Sequence, residues 1–481
     1  MFVPIVEWAP DADNTAQGVL ADVENMVPTL RGYSGAPSPI STGLAALSAE
    51  CRNAATVMLL DATSVLFAGT QTKLYKAGSS SWTDVTRVGS DYTGSAESRW
   101  CYTQQGNVTF AVNKVDNSQY YLHGTSTDFA DLAGMPKALV VEAAANFVLI
   151  GNYNDGSDVV DGWGCSALGD YTDWTESATT LCTYGRLMDT PGPITGLKRL
   201  MDYAVYYKRK SMYLARYVGQ PDAWQFSLVS DVVGAVSNDA VVLVGTQHFF
   251  LGDDNFYSYD SASVKPIGDS IKEWFNRDCN NAKRHLTQGL HDKRIGLVWW
   301  FYPSGTSTTP DSYVVFNYRT GKWGKGTQSV ECAVQYVAPG ASYDDLNTMY
   351  GTYNAIPNAT YDEINPSGLS VIPAVINTSH ALNLLTGSTT ACDITSNDFG
   401  SDSLITLLSR VRPRYLTSAT GSMTNYYRNS PGDSLTTGQT VSGGAKFDVL
   451  RSARWHRFKI EWTSDVEVTG ADVTAQAEGA E

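Results

Sequence analysis

Short apolar and aromatic runs recur along most of this chain, and each is bounded by Gly, Asn, Asp or a similar turn residue. They occupy residues 55–61, 64–69, 107–113, 146–152, 203–208, 211–217, 239–252, 295–302 and 312–318. Runs of about four to eight residues rich in β-branched and aromatic side chains predict strands. Strands that follow one another at intervals of about 8–12 residues predict an all-β sandwich, barrel or propeller.

A loose repeat within these runs favours the propeller. An apolar strand, a Gly, a turn, an aromatic strand and a Trp follow one another in LFAGTQTKLYKAGSSSW, residues 66–82, and related patterns end at Trp174 and Trp323. Propeller blades repeat weakly in this way, with an aromatic side chain packing between neighbouring blades. We therefore expect Trp82, Trp174 and Trp323 to be packing residues, and a helix only within residues 269–286.

The charge balance restricts the possible partners. The chain has 481 residues, a formal net charge of −15 and 17% charged residues, below the roughly 25% that is typical of soluble domains. Proteins that bind nucleic acid tightly normally carry a basic face. The balance argues against tight binding, but it is compatible with a surface along which DNA passes.

The cysteines and the N-terminus bear on the compartment. Seven cysteines lie at wide spacings without a CxxC pair, which predicts buried, reduced thiols in a reducing compartment. The N-terminal residues lack the basic segment of a signal peptide, and no run approaches the roughly 18 apolar residues of a membrane span. We expect synthesis in the cytoplasm and either residence there or incorporation into a particle assembled there.

The chemical motifs are weak. GDSL at Gly432–Leu435 has no Asp-x-x-His partner anywhere in the chain, and no nucleophile elbow, phosphate-binding loop or dinucleotide fingerprint occurs. His285 and His291 lack a nearby third metal ligand. We expect no enzyme activity, no metal and no cofactor. Paired carboxylates of a glycosidase remain an open alternative.

Charged residues are unevenly distributed. No Lys or Arg occurs between Lys325 and Arg410, so we interpret residues 336–403 as a polar, acidic insertion or tip subdomain. Residues 1–335 would form the main part of the propeller, and residues 404–481 would supply strands that close the β structure. The basic clusters at 208–210, 282–285, 410–414 and 451–459 indicate solvated faces or subunit contacts more than nucleic-acid binding.

Several segments of the sequence resemble those of a family of tailed-phage structural proteins. They begin with the acidic N-terminus and its Asn25, Pro28 and Gly32-Tyr33, and continue through 73–87, 106–121, 129–152, 164–175 and 193–260. Their order is similar to that in the tail nozzle, or tail hub, proteins of short-tailed bacteriophages. The resemblance implies a β-propeller virion protein, six copies of which ring the tail axis below an adaptor ring protein, extend or close the DNA channel and dock tail fibres.

The resemblance sets the functional expectation. We expect a structural homohexameric ring in the virion tail, through which duplex DNA transits without sequence-specific binding. The alternatives are a glycan-binding or fibre-docking propeller and, less favoured, a propeller glycosidase. Candidate channel or tip acids are Asp344, Asp345, Asp362, Glu363, Asp393, Asp398 and Asp402. Candidate subunit contacts are Lys208, Arg209, Lys210, Lys283, Arg284, Arg454 and Arg457.

Overall fold

Strands make up most of the chain in the computed structural model, which describes residues 2–61, 63–95, 97–337 and 371–480. These residues form seven four-stranded antiparallel sheets and two larger sheets. One α-helix, α1 (Lys272–Asp278), and one 3-10 turn (Arg284–Leu286) occur among them. The expected helix at 269–286 is therefore present in a shorter and broken form, and no described helix has the length and apolar character to cross a membrane.

The first six four-stranded sheets are formed by strands that follow one another in the sequence. Blades 1 to 3 are β7 (Ala54–Met58), β8 (Ser64–Gly69), β9 (Leu74–Ala77) and β10 (Trp82–Asp84); β11 (Cys101–Gln105), β12 (Val108–Val112), β13 (Gln119–Leu122) and β14 (Ala130–Asp131); and β15 (Lys137–Ala144), β16 (Phe147–Asn154), β17 (Asp158–Cys165) and β18 (Thr183–Arg186). Blades 4 to 6 are β19 (Ile194–Leu200), β20 (Tyr203–Lys208), β21 (Met212–Gly219) and β22 (Ala223–Ser230); β23 (Val241–Val244), β24 (Gln247–Leu251), β25 (Phe256–Tyr259) and β26 (Val264–Pro266); and β27 (Gln288–Asp292), β28 (Leu297–Tyr302), β29 (Ser312–Asn317) and β30 (Lys322–Thr327).

Blade 7 combines strands from distant parts of the chain. Its first three strands are β31 (Cys332–Val337), β32 (Val371–Ile376) and β33 (Leu382–Gly387), and its outer strand is β6 (Ser38–Ser41). Ile40 pairs with Leu384 in this sheet. The N-terminal segment therefore closes the ring by completing the last blade.

The first strands of the blades form the inner ring. Each contacts the first strand of the next blade, and β31 of blade 7 contacts β7 of blade 1. A closed cycle of radially arranged four-stranded sheets is a β-propeller. The predicted all-β propeller is confirmed, and the described residues form seven blades.

Two further sheets form a β-sandwich from both ends of the chain. The first contains β1 (Phe2–Pro4), β4 (Met26–Pro28), β5 (Tyr33–Gly35), β36 (Leu404–Thr417), β39 (Phe447–Ala453) and β41 (Glu467–Ala480). The second contains β2 (Glu7–Trp8), β3 (Val19–Glu24), β34 (Cys392–Ser396), β35 (Phe399–Gly400), β37 (Gly421–Arg428), β38 (Thr436–Gly443) and β40 (Trp455–Trp462). Leu408 and Val468 of the first sheet and Ile394 and Ile460 of the second share one buried apolar cluster.

The sandwich packs on the outer strand of blade 6. The Tyr33 hydroxyl donates to the Trp323 carbonyl at 2.7 Å and accepts from the Trp8 amide at 2.6 Å. A Cβ at Gly324 would lie 2.3 Å from the Met26 carbonyl oxygen, so only glycine permits this close approach of β4 to β30.

Aromatic packing between blades follows the expectation. The Trp323 ring of blade 6 lies 4.8 Å from the Phe256 ring of blade 5. Trp174 belongs to the apolar cluster that spans blades 2 to 4, and Trp82 packs on the cluster that joins blades 7 and 1. The seven cysteines are buried free thiols, as the sequence predicts.

The domain boundaries differ from the expectation. Of the predicted insertion 336–403, residues 338–370 lie outside the described residues, residues 371–387 belong to blade 7, and the strands from Cys392 onward belong to the sandwich. The strands of 404–481 pair with each other, with β34 and β35, and with the N-terminal strands β1 and β5, whereas β6 closes the propeller. The polar composition that indicated a separate subdomain therefore spans parts of two different modules.

Candidate functional site

The centre of the propeller is filled by polar side chains. A cavity of about 160 Å³ lies between the inner strands. Its lining residues are Asn53, Ala54, Ala55, Cys101, Tyr102, Lys198, Asn238, Asp239, Val241, Gln288, Gly289 and Ala333. Because they come from blades 1, 2, 4, 5, 6 and 7 and their entry loops, this cavity is the propeller's own channel.

An ion pair crosses the mouth of this channel. Arg99 lies just before blade 2 and Asp239 just before blade 5, and the Arg99 Nε lies 3.0 Å from the Asp239 Oδ2. Asn53, which precedes blade 1, donates from Nδ2 to the other carboxylate oxygen at 3.0 Å. Blades 2 and 5 are three positions apart in the ring, so the pair spans the opening.

A second network ties the closing seam of the ring. Glu331 accepts from the Cys51 amide at 2.8 Å and pairs with His380 Nδ1 at 2.7 Å. Gln288 Nε2 donates to the Glu331 carbonyl at 2.7 Å. These contacts join the entries of blades 1, 6 and 7 and leave the Glu331 side chain buried.

A wider cleft of about 670 Å³ adjoins the channel mouth. Its charged side chains include Glu97, Arg99, Lys114, Asp158 and His285. Most are already paired within the chain: Lys283 binds Glu97, and Lys114 lies 3.5 Å from Asp158. Burial lowers the pKa of His285 despite the nearby Glu97 carboxylate, which favours the neutral imidazole at pH 7.

Among the described residues, no three His, Cys, Asp or Glu side chains are grouped so that they could hold a metal ion.

Two basic clusters that lie far apart in sequence meet at Asp253. Arg209 Nε lies 2.7 Å from the Asp253 Oδ1 and Lys210 Nζ lies 3.7 Å from its Oδ2. Arg284 donates to the Asp253 carbonyl and is itself buried. The two clusters thus form one structural junction between blades 4 and 5 and the segment that follows α1.

Lys208 does not fit the predicted role of subunit contact. It is buried, and its Nζ donates to the Leu187 carbonyl at 2.5 Å and the Thr190 carbonyl at 2.6 Å. Burial lowers its pKa. The buried Arg284 is corrected in the same way, since a side chain enclosed within the chain cannot contact a neighbour.

Arg209, Lys210 and Lys283 lie closer to the surface and are partnered by Asp253 or Glu97. In the sandwich, Arg457 Nε binds Asp398 at 2.7 Å, and the carbonyl of Arg454 accepts from the Ser401 amide.

The predicted channel acids differ in where they lie. Asp344, Asp345, Asp362 and Glu363 lie outside the described residues. Asp398 is fully buried between Arg428 and Arg457, so its expected place on a channel wall is wrong. Asp402 is exposed and accepts from Trp455 Nε1 at 2.8 Å.

Asp393 has an unusual environment in the sandwich. Its carboxylate lies 3.1 Å from Lys459 Nζ. Burial, opposed by Lys459 and reinforced by the nearby Asp22 and Glu24 carboxylates, raises the pKa of Asp393 to about 6. The surroundings of Asp393 within the sandwich therefore place the pKa of this carboxyl above that of an ordinary aspartate.

Two features were missed by reasoning from sequence. The Arg99–Asp239 pair depends on which blades face one another, and no local pattern marks it. A groove between blades 6 and 7 and the sandwich, about 730 Å³ in volume, contains Arg31, Arg294 and Arg319. In the sequence, the adjacent Lys293 and Arg294 gave a local signal for part of this groove.

No protein-family model and no curated protein matches the chain. Solved structures do. YCF48 bound to D1 peptide is 11% identical, with 62% of this chain and 86% of that chain covered and a TM-score of 0.35. The extracellular domain of the putative hybrid two component system BT4673 from B. thetaiotaomicron is 11% identical, with 63% and 40% covered and a TM-score of 0.36. BBS1N in complex with ARL6DN is 10% identical, with 73% and 96% covered and a TM-score of 0.39.

Proposed function

We propose that this chain is a structural subunit of a ring in the tail nozzle of a short-tailed bacteriophage. The copies would surround a conduit through which duplex DNA leaves the virion. The chain would be made in the host cytoplasm and would join an adaptor ring protein and, at its periphery, tail fibres. Its role would be mechanical rather than catalytic.

The observation that carries this proposal is the internal pairing of many cations of the basic clusters with acids of the same chain. Arg209 and Lys210 pair with Asp253, Lys283 pairs with Glu97, and Lys459 pairs with Asp393. Proteins that grip DNA present cations to its phosphates and release counterions on binding. A chain with a net charge of −15 and cations engaged in this way suits a wall that DNA passes without being held.

The closed centre of the propeller limits where such a conduit could lie. Arg99 and Asp239 bridge its mouth at 3.0 Å, and the cavity below holds only about 160 Å³. A duplex has a major groove alone about 12 Å wide and cannot pass there. The conduit of the proposed ring therefore lies between copies of the chain.

The glycan-binding alternative has little support in the aromatic side chains. Among the described residues, the exposed large aromatic side chains are Phe2 and Tyr217. Sugar-binding surfaces of the expected kind would expose several rings for stacking.

Immunogold electron microscopy tests the proposal. An antibody raised against the purified chain is applied to particles from its source, with particles treated with pre-immune serum as the control. Gold at the distal end of a short tail is the expected result. Gold confined to fibres would favour receptor binding, and particles without gold would refute the structural role.

A further inference from the structure

The groove beside the sandwich is formed by two modules. Its walls are the turn between β4 and β5, the β27–β28 and β29–β30 turns at one end of blade 6, the end of β33 and parts of the C-terminal segment. The residues that matter here are Leu30, Arg31, Arg294, Ile295, Arg319 and Leu416. The groove encloses about 730 Å³, enough for side chains from a docked protein surface.

Apolar side chains are exposed at this groove. Leu30 is 71% exposed, Ile295 43% and Leu416 49%. Single exposed apolar residues are ordinary on protein surfaces, but a group of them beside a concavity indicates a contact surface. The groove therefore has an apolar component that a partner would cover.

The cations at the groove are available for a partner. Arg31 and Arg319 are exposed, and no acid of the described residues forms an ion pair with either. Arg294 is held by Asp292 through a contact of 2.9 Å. The groove also contains Asp465 and Glu467, and Asp465 accepts from the Thr389 amide at 2.6 Å. Arg31 and Arg319 are thus the groove cations with which an acidic, partly apolar partner surface would pair.

The outer part of blade 3 has that character. Between Lys137 and Lys198 the sole basic residue is Arg186, and Asp161 binds it at 2.8 and 3.1 Å. Exposed acids on this part of the blade are Asp155, Asp158, Asp170, Glu176 and Asp189, of which Asp158 lies 3.5 Å from Lys114. Leu168 and Met188 are exposed beside them. We call residues 155–189 of this blade the acidic edge.

The groove and the acidic edge lie on opposite sides of the propeller. Blade 3 and blade 6 are three positions apart in the seven-blade ring. Two different, complementary surfaces on opposite sides of one molecule produce head-to-tail contacts, which close into a ring when the rotation permits. An isologous dimer would instead need one self-complementary surface.

We propose that the groove is the docking site for the acidic edge of a second copy of this chain. Arg31 and Arg319 would meet Asp170 and Glu176, while the exposed apolar side chains of both surfaces would cover each other. Charge complementarity would select this contact against the general repulsion between acidic copies. The inference rests on the proposed function, for which it supplies the subunit interface.

Charge reversal on each surface tests the contact. The groove variant is Arg31→Glu with Arg319→Glu, and the edge variant is Asp170→Lys with Glu176→Lys. A charge-matched control for the groove variant is Lys265→Glu with Arg277→Glu, both of which are exposed side chains outside the two surfaces. Far-ultraviolet circular dichroism and thermal melting establish that each variant is folded.

Sedimentation velocity over a range of protein concentrations measures self-association. We expect the wild type and the control to associate, and each surface variant to associate at least about tenfold more weakly. An equimolar mixture of the two surface variants restores association, because a reversed groove and a reversed edge on unlike copies again join opposite charges.

Three results would overturn the inference: a wild type that stays monomeric at every concentration, surface variants that associate like the control, or a mixture that does not recover. Immunogold microscopy separates this outcome from failure of the proposed function. Gold at the tail tip without a groove-to-edge contact would retain the nozzle and discard the interface. Association with the expected charge pattern, but without gold on particles, would retain the interface and discard the nozzle.

Discussion

Replacing Asp398 by asparagine should destabilise the sandwich strongly. The Asp398 carboxylate is fully buried, and both of its oxygens are engaged by arginines. Arg428 lies on β37 and Arg457 on β40, so the carboxylate ties the segment before β35 to two strands of one sheet. Arg428 also donates to the carbonyls of Pro431 and Asp433, which extends the tie to the turn that joins β37 to β38.

The expected cost follows from the burial of the remaining charges. The Arg428 and Arg457 side chains are 7% and 14% exposed, so the neutral amide of Asp398→Asn would leave two guanidinium groups uncompensated and with little access to water. Removing one partner of a buried ion pair costs about 3–5 kcal/mol. We expect the free energy of unfolding of the sandwich to fall by about that amount, and hydrogen exchange in β37 and β40 to accelerate.

Asp402→Asn is the matched control. This acid lies a short distance further along the chain, is exposed, and accepts from Trp455 Nε1, so its substitution should cost less than about 1 kcal/mol. Urea unfolding followed by Trp fluorescence, together with hydrogen exchange of the individual strands, measures both variants. A loss below about 1 kcal/mol for Asp398→Asn would refute the reasoning.

Three other predictions concern different parts of the molecule. Because the pKa of Asp393 is raised to about 6, this group stabilises the fold below about pH 4 and loses that contribution as the pH rises through 6. Relative to Asp393→Asn, the free energy of unfolding of the wild type, measured with urea, should fall by about 3 kcal/mol between about pH 4 and 8. Parallel plots of this free energy against pH for the two proteins would contradict the prediction. Trp323→Ala should lower the free energy of unfolding by about 3–5 kcal/mol, since Trp323 is 1% exposed and packs between blades 5 and 6, and the half-buried Trp82 should cost less when changed in the same way. Fluorescence anisotropy with a labelled duplex of about 30 bp should show no tight complex at about 50 mM salt, because many cations of the basic clusters are paired internally and the net charge is −15; salt-sensitive tight binding would count against the non-gripping wall.

The strands were predictable because their signals are local. Ser64–Gly69 and Tyr203–Lys208 are strands over the ranges that their apolar runs indicate, and Trp323 packs between blades as its place in the repeat suggests. An alternating or continuous apolar run indicates that one or both faces of a strand are buried, and in the propeller the neighbouring strands and blades bury those faces. The blade count and the closing strand had no such local signal.

The errors in the predicted boundaries come from contacts between distant residues. Ser38–Ser41 pairs with Leu382–Gly387, yet Ile40 lies on an outer strand that is mostly exposed and carries little periodic pattern. The absence of Lys and Arg around Asp393 and Asp398 suggested one acidic surface, but their cations come from β37 and β40. Composition describes a segment, whereas charge compensation depends on the fold.

Because charge compensation depends on the fold, it also determines which acids could line a DNA conduit. Asp398 is enclosed by arginines and Asp239 is held by Arg99 across the propeller mouth, so neither carboxylate can repel passing DNA. The exposed acids of blade 3, between Asp155 and Asp189, have one basic residue in their segment, and Asp161 already binds it. If copies join through the groove and the acidic edge, the acids of that edge become contact residues, and the lumen of the ring must obtain its charge from faces that the contact leaves open. A conduit wall and an interface therefore compete for the same acids, and the charge-reversal experiment on Asp170 and Glu176 determines which of the two they serve.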